Sequence, residues 1–347
     1  MFTTFAYDLK NELEELSSNH PNSIEFPNLI AFIPEELILI NEKGEIIHGK
    51  ETVAKIETEE ESFINNIPNN TITFQSKVEK QEYVANVEQI KNHIIEGDVY
   101  ELNYCMEFFA EDVDVNPYST YQKLMQTSPV PYGAFFKWHS QYLLCASPER
   151  FICKLGEKVY SQPIKGTAKR SKNKEEDEQL KLELFNSEKE RAENLMIVDL
   201  VRNDLAITAE TGTVKVQELF GIYTFPQVHQ MISTIQSTSS TKDTIAIIKH
   251  AFPMGSMTGA PKIKAMQLIE KYETTKRGLY SGSIGYFSPN DDFDFNVIIR
   301  SLQYNATKNY LSFEVGSAIT YDSIAEQEYE ECLLKAEAML KVFQGNT

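Results

Sequence analysis

The chain has 347 residues, of which 41% are hydrophobic, enough for one large two-layer domain or two ordinary ones. Asp and Glu total 51 against 33 Lys and Arg, which gives a formal net charge of -18. So acidic a surface repels phosphate backbones and anionic lipids, which argues against nucleic acid or a membrane as a partner. If the substrate is itself an anion, a local cation must reverse this field.

The cysteines and the amino terminus both indicate a reducing compartment. Cys105, Cys145, Cys153 and Cys332 lie far apart, with no CxxC pair and no histidine at ligand spacing. We therefore expect neither a structural zinc site nor a disulfide framework. The first residues lack a basic region followed by an apolar core, and no apolar stretch is long enough to span a membrane. These features predict a cytoplasmic protein.

In chain order, the hydrophobic pattern first predicts a helix and then mostly strands. Residues 1–75 are the least informative, with short apolar runs at Leu29–Ile33 and Leu37–Ile40. An amphipathic helix is expected from about Glu82 to Glu96, where Gly97-Asp98 ends it. A strand, a second helix and four strand-like segments follow, at Val99–Phe109, Pro117–Gln126, Gly133–Trp138, Tyr142–Ala146, Phe151–Lys154 and Lys158–Ile164.

The second half mixes charged helices with apolar strands. The stretch 169–193 predicts a solvated helix, and a second helix begins near Ser187. Residues 278–320 read as a β-meander of three apolar runs separated by turn-forming residues at 288–291 and 305–309. A terminal helix is expected from about Ile324 to Phe343. The predicted fold class is α+β, with mainly antiparallel sheets and helices around them.

Two of these helices each carry a pair of glutamates. Ser187-Glu188-Lys189-Glu190 is a capping box, which gives Glu190 a structural explanation. Glu193 has no such explanation, and it extends an apolar stripe along one helical face. Glu328 and Glu331 repeat the spacing in the last helix. Either pair alone is more often a solvated helix face, but four converging carboxylates would suit Mg²⁺, which prefers oxygen ligands.

Seven ordered motifs carry a family resemblance. They are SPERF at 147–151, PIKGT at 163–167, the run 191–205, PMGSMTGAPK at 253–262, GSIGYF at 282–287, IIR at 298–300, and DS at 322–323 followed by EYEE at 328–331. Over residues 80–345 the chain resembles the chorismate-utilising enzymes, and within them the aminodeoxychorismate synthase branch. The resemblance implies two packed, mainly antiparallel sheets, with a short amino-terminal region at 1–78 integrated with a catalytic domain at 79–347. Residues 1–75 contain no counterpart of the family's tryptophan-pocket motif.

The resemblance implies that chorismate and ammonia are converted to 4-amino-4-deoxychorismate for para-aminobenzoate and folate synthesis. Lys165 distinguishes this branch, because anthranilate synthases carry Ala there, and it looks like the covalent nucleophile. It must be neutral to react, so burial or bound Mg²⁺ should lower its pKa. Glu149 resembles the general acid and needs a raised pKa; alternatively it is a turn carboxylate paired with Arg150. His229 matches the family's active-site histidine.

Further roles follow from the resemblance by position. Glu193 and Glu331 look like the direct Mg²⁺ ligands, with Glu190 and Glu328 acting through water. Tyr286 and Arg300 are expected to bind the enolpyruvyl carboxylate of chorismate, Arg300 in a bidentate manner. Four other residues are expected beside the substrate: Gly316, Ser256, Thr167 and Lys335. For Lys335, an ion pair with Glu331 one helical turn away is the simpler explanation.

Glu101 departs from the family pattern. Ammonia-using relatives usually have Gln at this position, whereas isochorismate and salicylate synthases have a water-activating Lys. The absence of that Lys argues against water as the nucleophile. The main alternative, anthranilate synthase component I, is disfavoured by Lys165, and a non-catalytic scaffold is disfavoured by the retained catalytic residue types. No Cys-His-Glu glutaminase motif is found, so the resemblance implies that ammonia comes from solution or from a separate glutamine amidotransferase subunit.

Overall fold

The computed structural model describes residues 1–49, 72–226 and 228–343. Within them, two large sheets pack with helices against them, and every recorded strand pair is antiparallel in the register of its residues. The α+β class predicted from the sequence is confirmed.

The first sheet has nine strands. Their bounds are β1 Phe2–Phe5, β2 Leu29–Phe32, β9 Arg150–Leu155, β10 Lys158–Gln162, β11 Ile164–Lys169, β12 Lys215–Thr224, β13 Val228–Thr238, β15 Ser283–Phe287 and β16 Phe293–Asn296. The spatial order is β11-β13-β10-β9-β16-β15-β1-β2, and β12 also pairs with β13. The amino-terminal strand β1 therefore lies inside this sheet, between β15 and β2.

The second sheet has seven strands. Their bounds are β5 Gln75–Ser76, β6 Glu101–Ala110, β7 Tyr132–Trp138, β8 Gln141–Ser147, β14 Gly259–Ala260, β17 Ser301–Asn305 and β18 Tyr310–Ile319. The order is β14-β6-β18-β17-β8-β7, with β5 also pairing with β6. A separate two-stranded ribbon joins β3 Leu39–Ile40 to β4 Ile46–His48.

Eight α-helices occur in the described residues. They are α1 Lys10–Leu13, α2 Lys80–Ile95, α3 Pro117–Thr127, α4 Lys174–Asn186, α5 Glu188–Ala206, α6 Thr244–Ala251, α7 Lys262–Tyr272 and α8 Ala325–Leu340. The helices predicted near 82–96, 117–126 and 324–343, and the two helices divided near Ser187, are confirmed. None of the helices in this described part is long and apolar enough to cross a membrane.

The predicted β-meander over 278–320 is wrong. The segment forms four strands rather than three, and they divide between the two sheets, with β15 and β16 in the first and β17 and β18 in the second. The chain crosses between the sheets at Val297–Arg300, and Arg300 adopts a left-handed backbone with φ 52°. Alternating hydrophobicity predicts strands but does not determine which sheet each strand joins.

Strand β6 has two faces with different environments. Leu102, Tyr104, Met106 and Phe108 belong to the apolar core that includes residues of α2, α7 and α8. The alternate residues point the other way, because successive side chains of a strand lie on opposite faces. That second face carries Glu101, Asn103, Cys105 and Glu107, and Cys105 packs in the core of the first sheet. Polar side chains are therefore buried between the two sheets.

Arg277 links three elements within this polar layer. Its guanidinium, only 2% exposed, donates to both carboxylate oxygens of Glu273 at 2.9 and 2.6 Å. It also donates to the carbonyl oxygens of Met257, at 2.6 Å, and Asn103, at 2.9 Å. The buried Arg277–Glu273 pair thus fixes strand β6 against the turn at 255–257.

We predict that Arg277→Met destabilises the fold by about 3–5 kcal/mol, because the Glu273 carboxylate is left buried without its cation. Urea unfolding of both proteins measures this difference. In the double variant Arg277→Met/Glu273→Gln, no charge remains unpaired, so part of the loss should be recovered. A double variant no more stable than the single one would contradict this explanation.

Candidate active site

Lys165 and Glu101 join the two sheets through a buried ion pair. The Lys165 ammonium donates to Glu101 Oε1 at 2.9 Å, and the two side chains are 10% and 2% exposed. Lys165 lies in β11 at a bulge, where the register with β13 shifts between Ile164 and Thr167. Gly166 at this bulge has φ 89°, and a Cβ there would lie 2.9 Å from Glu190 Oε2. The bulge therefore needs glycine both for its backbone conformation and for its contact with α5.

The pKa of Lys165 is raised, contrary to the expectation from the sequence. Burial alone would lower the pKa of its ammonium group. The Glu101, Glu193 and Glu149 carboxylates outweigh this effect and hold the pKa above its usual value. In this arrangement Lys165 is an ammonium, so reaction requires that a nearby group take its proton.

Glu149 has the properties predicted for a general acid. Its side chain is buried, and its Oε1 accepts a hydrogen bond from the Ser256 hydroxyl at 2.8 Å. Burial raises its pKa to about 7, although Ser256 and Lys165 oppose the shift. The alternative pairing with Arg150 does not occur, because Arg150 forms a two-pronged ion pair with Asp294.

The glutamates of α5 and α8 converge on one lysine. Lys189 Nζ lies 3.8 Å from Glu193 Oε1 and 3.9 Å from Glu328 Oε1, and these carboxylates are 12% and 4% exposed. A solvated helix face is therefore the wrong description of these two residues. Ser187 is the N-cap of α5, since its hydroxyl accepts from the Glu190 backbone N–H at 3.3 Å, whereas the Ser187 N–H donates to the Leu184 carbonyl oxygen rather than to the Glu190 carboxylate.

The electrostatics of this glutamate cluster indicate a shortage of cations. Burial raises the pKa of Glu193 to about 7, and repulsion from Glu190 adds to the shift. Burial also raises the pKa of Glu190. For Glu331, burial would raise the pKa, but attraction and a hydrogen bond from Lys335 lower it overall. An oxygen-only cluster short of positive charge fits a hard cation such as Mg²⁺.

The four carboxylates do not close around a point in this structure. Among the described residues, the one group of three side chains with ligand atoms within 4.8 Å of one another is His93, Glu96 and Asp98. The glutamates of α5 and α8 are spaced more widely than that, with the Lys189 ammonium between Glu193 and Glu328.

Arg300 is an unpaired cation at the crossover between the sheets. Its half-buried side chain has no hydrogen bond or ion pair with any described residue. Burial lowers its pKa, and Tyr280 and the Glu331 carboxylate oppose this shift. An unpaired, desolvated guanidinium is suited to bind a carboxylate by two parallel hydrogen bonds.

The structure does not bring Tyr286 to Arg300. Tyr286 lies on β15 with its side chain 47% exposed, on the face opposite to Phe287, which packs in the core beneath α5. It lines a cavity of about 750 Å³ beside Phe2, Phe32 and Tyr132 of the amino-terminal and β7 region. Tyr280, six residues earlier, is the tyrosine near Arg300. No local sequence signal marks Tyr280 as a neighbour of Arg300.

Gly316 and Lys335 lie together, but Gly316 has a structural explanation. A Cβ at Gly316 would lie 2.4 Å from Cys105 Sγ, so the close pairing of β18 with β6 already requires glycine. Lys335 donates to the Gly316 carbonyl oxygen at 2.7 Å and pairs with Glu331 at 2.6 Å. The predicted ion pair with Glu331 is thus confirmed.

His229 and Thr167 lie on the paired strands β13 and β11, near Lys165 in the chain or across the ladder. His229 is 1% exposed, and its two ring nitrogens contact Asp177, at 3.1 Å, and Thr224, at 3.0 Å. Both nitrogens therefore have partners in this structure. Thr167 is exposed on β11, where its backbone pairs with Gln230. Neither residue contacts Lys165 or Glu149 through a recorded hydrogen bond.

Lys189 was missed by the sequence analysis. Its spacing of four residues from Glu193 on one helix was the available signal. Its contact with Glu328 depends on the packing of α5 near α8, which no local pattern predicts.

This chain is similar to known proteins over nearly its whole length. The aminodeoxychorismate synthase component 1 of Bacillus subtilis is 33% identical, over 98% of this chain and 76% of that protein. The anthranilate synthase component 1 of Thermus thermophilus is 31% identical over 98% of this chain and 76% of that protein. The crystal structure of anthranilate synthase component I from Streptococcus pneumoniae aligns with a TM-score of 0.84 and 29% identity, over 98% of this chain and 80% of that one.

The family assignment rests on a match along almost the whole chain. The family model of the chorismate binding enzymes matches residues 1–341 of this sequence. This range includes the amino-terminal strands and the helices α5 and α8, which carry the four glutamates. The relatives above carry the names of two different activities on this shared scaffold. The chain therefore belongs to the family of chorismate binding enzymes.

Proposed function

We propose that this chain is the chorismate-converting component of an aminodeoxychorismate synthase. It would join chorismate and ammonia to give 4-amino-4-deoxychorismate, which leads to para-aminobenzoate and folate. The observation that carries the proposal is Lys165, a buried amine at the junction of the two sheets with carboxylates around it. Overall similarity cannot choose between this activity and anthranilate synthesis, because relatives of both names match at 33% and 31% identity.

The chemistry requires an amine nucleophile other than ammonia. In the proposed reaction, the neutral Lys165 amine attacks C2 of chorismate, the ring double bonds shift, and the C4 hydroxyl leaves as water. Ammonia then adds at C4, and the reverse shift expels the lysine. Two easier displacements replace one difficult one. Without the lysine, ammonia would attack C2 and lead toward anthranilate.

Glu149 would protonate the leaving hydroxyl. A pKa of about 7 leaves a substantial fraction of this carboxyl protonated at neutral pH. Ser256, which donates to Glu149 at 2.8 Å, orients the carboxyl. The proton returns to Glu149 from the ammonium group that forms at C4 when ammonia adds.

Two cations would bind the two carboxylates of chorismate. Arg300 would hold the enolpyruvyl carboxylate, with Tyr280 rather than Tyr286 as its neighbour. Mg²⁺, held by Glu193 and Glu331 and through water by Glu190 and Glu328, would supply positive charge for the ring carboxylate. Lys335, which pairs with Glu331 at 2.6 Å, would add positive charge beside this carboxylate. Local cations of this kind would allow a protein of charge -18 to bind a dianion.

The ammonia would come from a separate glutamine amidotransferase subunit. A glutaminase of the Cys-His-Glu type needs an accessible thiolate, whereas all four cysteines of this chain are buried. Burial raises the pKa of Cys105, Cys145, Cys153 and Cys332, which keeps these thiols protonated.

We predict that the protein, given chorismate, ammonium chloride and MgCl₂, forms aminodeoxychorismate, detected as para-aminobenzoate only after an aminodeoxychorismate lyase is added. Lys165→Ala should lose this product or shift toward anthranilate, whereas Lys169→Ala, on the same strand but exposed, should not. Chromatography with mass detection identifies the products.

EDTA should abolish turnover, and glutamine with a glutaminase subunit of the host should replace ammonium. Anthranilate or isochorismate from the wild type would refute the proposal.

We predict that Arg300→Lys raises the KM for chorismate by about 10- to 100-fold, because one charge-assisted pair of hydrogen bonds is lost. Initial rates over a range of chorismate concentrations measure this. Tyr280→Phe should also raise KM, and Tyr286→Phe serves as the matched control with an unchanged KM. The reverse order of the two tyrosine variants would contradict the placement of the substrate at Arg300.

We predict that kcat/KM falls as pH rises above about 7, because Glu149 must be protonated to act as the acid. The Ser256 hydroxyl stabilises the ionised carboxylate and so lowers its pKa. Ser256→Ala should therefore move this alkaline limb upward by about one pH unit. Thr258→Val, which removes a hydroxyl from the same region without touching Glu149, should leave the limb in place. If the pH above which kcat/KM falls is unchanged or lower in Ser256→Ala, the assignment of Glu149 as the general acid is contradicted.

A further inference from the structure

Only one of the two carboxylate oxygens of the buried Glu101 has a hydrogen-bond partner among the described residues. It is the first residue of β6, and its side chain is 2% exposed. Oε1 accepts the hydrogen bond from Lys165 at 2.9 Å. Oε2 is buried and has no hydrogen-bond partner among the described residues.

This arrangement puts a proton acceptor directly against the Lys165 ammonium. The second oxygen, Oε2, lies buried without a donor among the described residues, so it is open to receive a proton. Proton transfer within the pair converts it into a neutral acid and a neutral amine. The same transfer yields the unprotonated amine that Lys165 needs for attack.

The other carboxylates near Lys165 are less suited to this task. Glu149 already accepts from Ser256, and the proposed reaction uses its proton for the leaving hydroxyl. Glu193 lies beside Lys189, at 3.8 Å. Glu101 alone among them has a recorded hydrogen bond with the Lys165 ammonium in the described residues.

We propose that Glu101 is the general base that deprotonates Lys165. The inference rests on the proposed function, since it requires Lys165 to be the nucleophile. An N–H bond of Lys165 breaks, the proton bonds to the Glu101 carboxylate, and the electron pair left on Nζ forms the bond to C2. The C4–O bond breaks as the hydroxyl takes the proton of Glu149. When ammonia later expels the lysine as a neutral amine, that amine recovers its proton from Glu101.

The test is the rate at which the lysine adduct forms when ammonium is withheld. The protein is mixed with chorismate and MgCl₂, quenched at intervals, and its intact mass is measured. Glu101→Gln keeps the shape and the hydrogen bond to Lys165 but is not a base. We expect it to form the adduct on the order of 100-fold more slowly than the wild type. In full turnover, its kcat should fall while its KM for chorismate stays close to that of the wild type.

Glu107→Gln is the matched control. Glu107 lies on the same face of the same strand, is also buried, and accepts from the Tyr310 hydroxyl at 2.9 Å rather than from Lys165. It should form the adduct at the wild-type rate. Glu101→Asp, which retains a carboxylate, should be faster than Glu101→Gln if proton acceptance is what was lost.

The outcomes separate the inference from the function on which it rests. An adduct that forms in Glu101→Gln as fast as in the wild type overturns the role of Glu101 and leaves the proposed function intact. A slow Glu101→Asp variant, no better than Glu101→Gln, also overturns it. If the wild type converts chorismate but never forms an adduct, the covalent lysine step fails and the role of Glu101 fails with it.

Discussion

Between the two sheets, the Lys165 ammonium is surrounded by the Glu101, Glu149 and Glu193 carboxylates. Each carboxylate that leaves water needs a cation, a hydrogen-bond donor or a proton. Glu101 has Lys165, Glu149 has Ser256 and a raised pKa, and Glu193 has Lys189 nearby and a raised pKa. Three carboxylates therefore share two ammonium groups and one hydroxyl donor, and the proposals of proton transfer and of an added cation rest on this balance.

A few specific features of the two sheets and their connections fix the positions of these charged side chains. The bulge at Gly166 sets Lys165 against Glu101 across the sheets and allows α5 to approach. Arg277 ties strand β6, which begins with Glu101, to the turn that carries Ser256. The crossover at 297–300 leaves Arg300 facing the site without a partner among the described residues. None of these features is a large apolar contact, so the reacting groups are fixed by polar geometry on top of an ordinary core.

The comparisons and the local chemistry answer different questions. Identity of about one third over nearly the whole chain fixes the family and the fold, but it is almost equal for relatives named after two activities. In the proposed reaction, the attacking amine is one side chain at the junction of the sheets, and substitution of one residue hardly changes an overall score. The choice between the activities therefore depends on Lys165 and its neighbours rather than on global similarity.

The sequence by itself determined the α+β class, most helices and strands, the N-cap at Ser187 and the motif that contains Lys165, because these depend on local periodicity and local hydrogen bonding. Only the tertiary structure decided that residues 278–320 divide between two sheets, that Gly316 is needed by β6, and that Tyr280 rather than Tyr286 lies near Arg300. It also reversed the expected direction of the Lys165 pKa shift. In each case the residue depends on contacts with residues far away in the chain. Those contacts are set by which faces of the strands and helices pack together, and no local sequence pattern contains that information.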